Sequence, residues 1–190
     1  MIFTNNHSDD IYNIPPLSPE ALNKIHRWAF HDRQPIIKKS WDITFLEQAF
    51  LWAERSHDAQ TKHGAVLTTD DHHIIATGYN GFVRNIADDI LPNTRPFKYG
   101  FMIHSEVNCI LDCAYQGKST KNSIMYVTGE PCLNCYQLMY QAGVKKVVYG
   151  NNNSHMLDTD LDYQTNVEIF LWLVKENFSV KHIDYPILKK

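Results

Sequence analysis

Apolar positions along the chain change period several times, and each change marks an element. Between Ser18 and His31 the apolar residues Leu22, Ile25, Trp28 and Ala29 form one stripe at helical spacing. Ser18 suits an N-cap, Pro19 the first helical position and Glu20 the first turn, and Pro35 requires the helix to have ended. A second helix is predicted over 42–56, with Phe45, Ala49, Leu51, Trp52 and Ala53 as its apolar face. Residues 64–68 read as a strand, Asp70 and Asp71 as a turn, and 73–79 as the hairpin partner. Residues 81–103 have no period and predict a long loop, and long loops in compact domains are usually functional.

From 104 onwards helix and strand alternate. Val107, Ile110, Leu111 and Ala114 predict a helix to about Gln116, with Gly117 just past its end. A strand over 123–128, a helix over 132–141 closed by Gly143 and a strand over 146–149 follow. A polar loop over 151–160, a helix over 163–176 and a strand over 180–184 complete the chain. Strands alternating with helices imply parallel crossovers and helices on both sheet faces, so an α/β class is expected. Residues 1–40 read as an N-terminal arm with one helix, packed on its own domain or a neighbouring subunit, and 41–190 as the main domain.

Composition narrows the function. The 190 residues carry a net charge of −3, with 44% apolar and 21% charged positions, as in ordinary globular proteins. A general nucleic-acid binder needs a basic excess; here Lys118/Lys121 and Lys145/Lys146 are isolated pairs. No apolar run approaches the ~18 residues of a membrane span. The opening Met1–Asp10 is polar and acidic, which fits neither a signal nor a transit peptide. Free cysteines placed to bind metal imply a reducing, cytoplasmic setting.

The chemistry concentrates in two stretches, His104-Ser105-Glu106 and Glu130-Pro131-Cys132-Leu133-Asn134-Cys135. Cys132 and Cys135 lie three apart, about 60° around a helix and so on one face. Pro131 suits a helix start, and thiolates there meet the positive end of the helix dipole. His104 and Glu106 lie about 200° apart around a helix, so both reach one site only if it sits over the helix start. A C-x-x-C alone would also suit a redox pair or half of a structural zinc site. A structural site needs a fourth ligand, and the remaining Cys109 and Cys113 fall well inside the helix as small buried apolar groups. The expected site is therefore one catalytic Zn²⁺ on His104, Cys132 and Cys135, with Glu106 as the acid/base beside an open position.

H-x-E followed by P-C-x-x-C is the signature of zinc nucleobase deaminases, which the chain resembles through these residues. Over about 41–185 it resembles the cytidine deaminase superfamily, and within it the deoxycytidylate deaminases. The stretches are 41–45, Ala53-Glu54-Arg55-Ser56-His57-Asp58, Gly64-Ala65-Val66, Thr77-Gly78-Tyr79-Asn80-Gly81, Asp88-Asp89-Ile90-Leu91-Pro92, His104-Ser105-Glu106-Val107-Asn108 and Met125-Tyr126-Val127-Thr128. The resemblance implies a three-layer α-β-α cytidine deaminase-like fold with a five-stranded mixed sheet. It also implies hydrolytic deamination of dCMP to dUMP for dTMP synthesis. Asn80 would contact the sugar, and backbone groups near Ser105 and Pro131 the pyrimidine edge. Regulation by dCTP and dTTP, with Mg²⁺ on the triphosphate, and a homo-oligomer such as a hexamer would follow. For the phosphate, Lys62, Arg55, Ser56 and His155 are the candidate partners, and Arg84 is the candidate for a regulatory nucleotide. The pattern departs from the family at His63, Ser105, Cys109 and Glu130. Alternatives are dCTP, a 5-substituted dCMP, a base in tRNA or single-stranded DNA, or a non-catalytic nucleotide-binding zinc protein.

Overall fold

The computed structural model describes residues 16–32, 36–151 and 161–185. The chain divides between Lys38 and Lys39 into two units. In the first, α1 (Pro19–Arg27) begins as its sequence predicts: Ser18 Oγ accepts the N–H of Ala21 at 3.2 Å, and Pro19 occupies the first turn. A single wider turn, Trp28–Asp32, continues it.

The second unit runs α2 (Trp41–Ala53), β1 (Gly64–Thr68), β2 (Ile74–Tyr79), α3 (Ser105–Gln116), β3 (Ile124–Val127), α4 (Leu133–Gln141), β4 (Lys146–Tyr149), α5 (Leu161–Val174) and β5 (Ser179–His182). The sheet order is β2-β1-β3-β4-β5. Pairing is antiparallel between β1 and its neighbours β2 and β3, and parallel from β3 to β4 to β5. The expected five-stranded mixed sheet is present.

Alternation along the strands sorts the layers. Val66, Ile124, Tyr126 and Val148 pack with Phe45 and Ala49 of α2. Ala65, Leu67, Met125 and Val147 turn the other way, to Cys109 and Cys113 of α3, Met139 of α4 and Val167 of α5. Gly78 lets α3 lie directly on β2: a Cβ there would strike the Ser105 carbonyl and the Cys109 amide. Gly117 adopts φ 67° and ends α3 as its sequence predicts. Asp42 ties the start of α2 to the far strands, accepting from Lys146 Nζ (3.2 Å), Lys181 Nζ (2.6 Å) and Tyr126 Oη (3.1 Å). Burial works to raise its pKa, but these donors outweigh it and hold the carboxyl below its usual value.

Several boundaries differ from the sequence expectation. The second helix stops at Ala53 instead of 56, and the last strand covers Ser179–His182 instead of 180–184. Helix α4 starts at Leu133, with Cys132 at the N-cap position. Within the aperiodic 81–103 loop, Phe97–Gly100 form one 3₁₀ turn, and Gly81 and Ile103 bridge the ends of the loop through paired backbone bonds of 3.0 and 2.8 Å. No helix among the described residues is long and apolar enough to cross a membrane.

Candidate active site

His104 is the N-cap residue of α3 and Cys132 that of α4, and neither side chain makes a capping hydrogen bond. Both are therefore free to turn outward, while Cys135 reaches the same point from the first turn of α4. His104 Nδ1 lies 3.6 Å from Cys132 Sγ and 3.4 Å from Cys135 Sγ, and the three ligand atoms lie within 4.8 Å of one another. The amide of Leu133, one of the first-turn donors that has no partner inside the helix, donates to Tyr163 Oη at 2.6 Å. Tyr163, from α5, thus ties down the start of α4 beside the two cysteines.

Accepting from Cys135 pushes the Cys132 thiol well down, and Cys135, retaining the shared proton, is pushed up. His104 is raised, chiefly by its bond with Cys132. Two sulfurs and one imidazole suit Zn²⁺ and not Mg²⁺ or Ca²⁺, which favour oxygen. Three protein ligands leave a fourth tetrahedral position open, as catalytic zinc sites do. Cys109 and Cys113 are wholly buried in the core, where burial raises both thiols, so they pack and do not ligate.

Glu106 is 5% exposed and lines the pocket with His104 and Cys132. Ser105 Oγ donates to its Oε2 at 2.9 Å, and burial raises its pKa above the usual carboxylate value. His63, Asn80 and Glu130 form further pocket wall, and buried Pro131 joins Glu130 to Cys132. Burial pushes His63 down to about 4, so its imidazole is neutral near neutral pH. Every hydrogen-bonding position of the Asn80 amide is used within the protein: Oδ1 accepts from Ser56 Oγ (2.6 Å) and the His63 amide (2.8 Å), and Nδ2 donates to Thr61 O (2.9 Å) and Asp58 Oδ2 (3.3 Å).

The cations of the pocket are not the ones the sequence singled out. Lys62 is not on its wall; its ammonium lies 3.7 Å from Glu54 on the surface. Arg84 also lies elsewhere, bonded to Asp112 Oδ1 at 3.1 Å and stacked 4.3 Å over Tyr115. Ser56 supports Asn80 without lining the pocket, and Arg55 does not line it either. His155 falls outside the described residues. Lys98 and Arg95, both from the aperiodic loop, line the pocket in their place. Lys98 is paired with Asp58, each side chain only 3% exposed. Arg95 donates to Thr61 Oγ1 at 2.8 Å and has no carboxylate partner among the described residues. No periodicity marks these two cations, because the loop is positioned by polar contacts with Asp58, Gln60 and Thr61 and not by an apolar stripe.

That pair supports a stability prediction. Asp58→Ala leaves the Lys98 ammonium buried without its counter-charge, a loss of about 3–5 kcal/mol, measurable as a lower urea midpoint. Burial works to raise Asp58, yet Lys98 and the amides of Gln60 and Thr61 hold it below its usual value. The stability from this depressed carboxyl is therefore present above the unfolded aspartate pKa of ~3.9 and is lost as acid titrates it at its lower folded value.

Residues 39–151 match the family model for the cytidine and deoxycytidylate deaminase zinc-binding region. The chain is 34% identical over 124 residues to deoxycytidylate deaminase of Homo sapiens, covering 62% of this chain and 68% of that protein. It is 32% identical over 141 residues to ComE operon protein 2 of Bacillus subtilis, covering 68% and 70% respectively. Among solved structures, dCMP deaminase from the cyanophage S-TIM5, in complex with dCMP and dUMP, is similar with a TM-score of 0.59. The identity is 25%, covering 78% of this chain and all of that one (100%).

Proposed function

The chain belongs to the cytidine and deoxycytidylate deaminase zinc-binding family, and from that premise we propose that it deaminates dCMP hydrolytically to dUMP and ammonia, supplying dTMP synthesis. One observation carries the reading: Glu106 is a buried carboxylate in the pocket beside His104, Cys132 and Cys135, and the metal does not need it as a ligand. When bound, zinc supplies a Lewis acid that makes water a nucleophile near neutral pH. Glu106 takes a first proton as water adds to the amino-bearing carbon and delivers it to ring nitrogen 3; it then takes the second proton from the newly added hydroxyl and gives it to the amine, which departs as ammonia while the carbonyl forms. Its raised pKa suits a group that must both accept and give a proton. Ser105 holds the carboxylate in place. Asn80, with backbone groups at Ser105 and Pro131, borders the sugar and the pyrimidine edge. Incubation of the zinc-loaded protein with dCMP should deplete the cytosine absorbance; no turnover would refute the reading.

Preference for a monophosphate needs a cation without an internal counter-charge, and Arg95 is such a group on the pocket wall. A charge-assisted contact is worth about 1.5–3 kcal/mol, so Arg95→Ala should lower kcat/KM for dCMP ~10–100-fold and leave deoxycytidine nearly unchanged. Equal losses on both substrates would make Arg95 structural. In the same reading the resemblance supplies dCTP and dTTP control with Mg²⁺, a homo-oligomer such as a hexamer, and an arm over 1–40 appended to the deaminase domain. The free thiols fit a cytoplasmic setting.

A further inference from the structure

His63 directly precedes β1, and by strand alternation it shares the face of Ala65 and Leu67, which turn to α3 and α4. Its Nδ1 lies 3.1 Å from Thr128 Oγ1. Thr128 is fully buried, and its oxygen already accepts the Gly64 amide at 3.2 Å. Among the described residues, the only acceptor for the Thr128 hydroxyl proton is His63 Nδ1. The reverse arrangement, with Nδ1–H donating, would leave that buried proton unpaired, which is costly. Thr128 therefore donates to Nδ1, and the imidazole carries its own proton on Nε2. That Nε2–H has no partner among the described residues, and His63 lines the pocket with His104 and Glu106.

Two other nitrogen donors of this wall are committed. Asn80 is saturated and Lys98 is held by Asp58. A cytosine with its amino-bearing carbon at the triad and ring nitrogen 3 at Glu106 keeps one acceptor on the base, the 2-carbonyl oxygen. We infer that His63 is a specificity-determining residue whose Nε2–H donates to the 2-carbonyl oxygen of the bound pyrimidine. The inference rests on the dCMP reading above. It makes the carbonyl, and not the ring alone, part of what the pocket requires, because a substrate lacking a good acceptor there would leave the donor unpaired against it.

The test compares dCMP with 2-thio-dCMP, whose thiocarbonyl is a poor acceptor, in wild type, His63→Asn and His63→Gln. Asn keeps a partner for Thr128 but withdraws the pocket donor; Gln places an amide N–H close to the Nε2 position. Wild type should favour dCMP in kcat/KM by about tenfold, the value of one neutral hydrogen bond. His63→Asn should erase that preference by losing dCMP turnover alone, with full zinc content, and His63→Gln should restore most of it. A preference undiminished in His63→Asn, or equal losses on both substrates, overturns the inference while leaving dCMP deamination intact. Wild type inactive on dCMP overturns the proposed function and this inference together.

Discussion

Glu106→Gln is expected to keep the metal and lose ~10²–10⁴ or more in kcat, the range for a positioned acid/base. The glutamine is nearly isosteric and can still accept from Ser105 Oγ, so the pocket and the His104, Cys132 and Cys135 cluster should stand unchanged. What disappears is the proton acceptor and donor beside the reacting carbon. Because only the chemical step is affected, kcat should fall far more than KM changes. The wild-type acidic limb of kcat should lie above the ordinary carboxylate range, since burial raises Glu106, and it should vanish in the variant. Metal analysis beside steady-state kinetics checks this. A variant turning over at the wild-type rate would remove Glu106 from the chemistry, and a metal-free one would show it to be part of the metal site.

Cys135→Ala is expected to abolish both zinc binding and activity. Its Sγ is the most enclosed of the three donors, 3.4 Å from His104 Nδ1 inside the first turn of α4, and no other cysteine can substitute. Cys109 and Cys113 are locked in the core between α3 and the sheet. Metal binding is coupled to folding, so the thermal midpoint should fall as well, and a chelator should lower the midpoint of wild type but not of the variant. The ligands must be deprotonated to hold the ion, so wild type should release zinc as pH falls. Stoichiometric zinc in purified Cys135→Ala would refute the ligand set.

The cluster was legible in the sequence because its chemistry depends on local spacing. His104 two residues before Glu106, and Cys132 three before Cys135 behind a proline, can converge only at two helix starts, where the structure places them. The phosphate site was not legible in that way. Lys62 seemed suitable from its position before the first strand, but it faces Glu54 at the surface. Arg95 and Lys98 lie in a stretch without period, and bonds to Asp58, Gln60 and Thr61, more than thirty residues earlier, bring the loop onto the pocket. Tyr163 has no sequence signal either, since its link to Leu133 crosses thirty residues between two helices.

By itself, the sequence determined the alternation of elements, the hairpin and the parallel crossovers after it, and the four side chains of the candidate metal site. Each depends on periodicity or on ligands a few residues apart, and backbone geometry converts such patterns directly into faces and helix ends. Only the tertiary structure decided that Asn80 is saturated, that Lys98 is neutralised and Arg95 is not, and that His63 meets Thr128 through Nδ1 on the pocket wall. Those outcomes depend on which distant groups share a buried volume. In a low-dielectric interior each donor, acceptor and charge is set by its partners, and no local pattern states who they are.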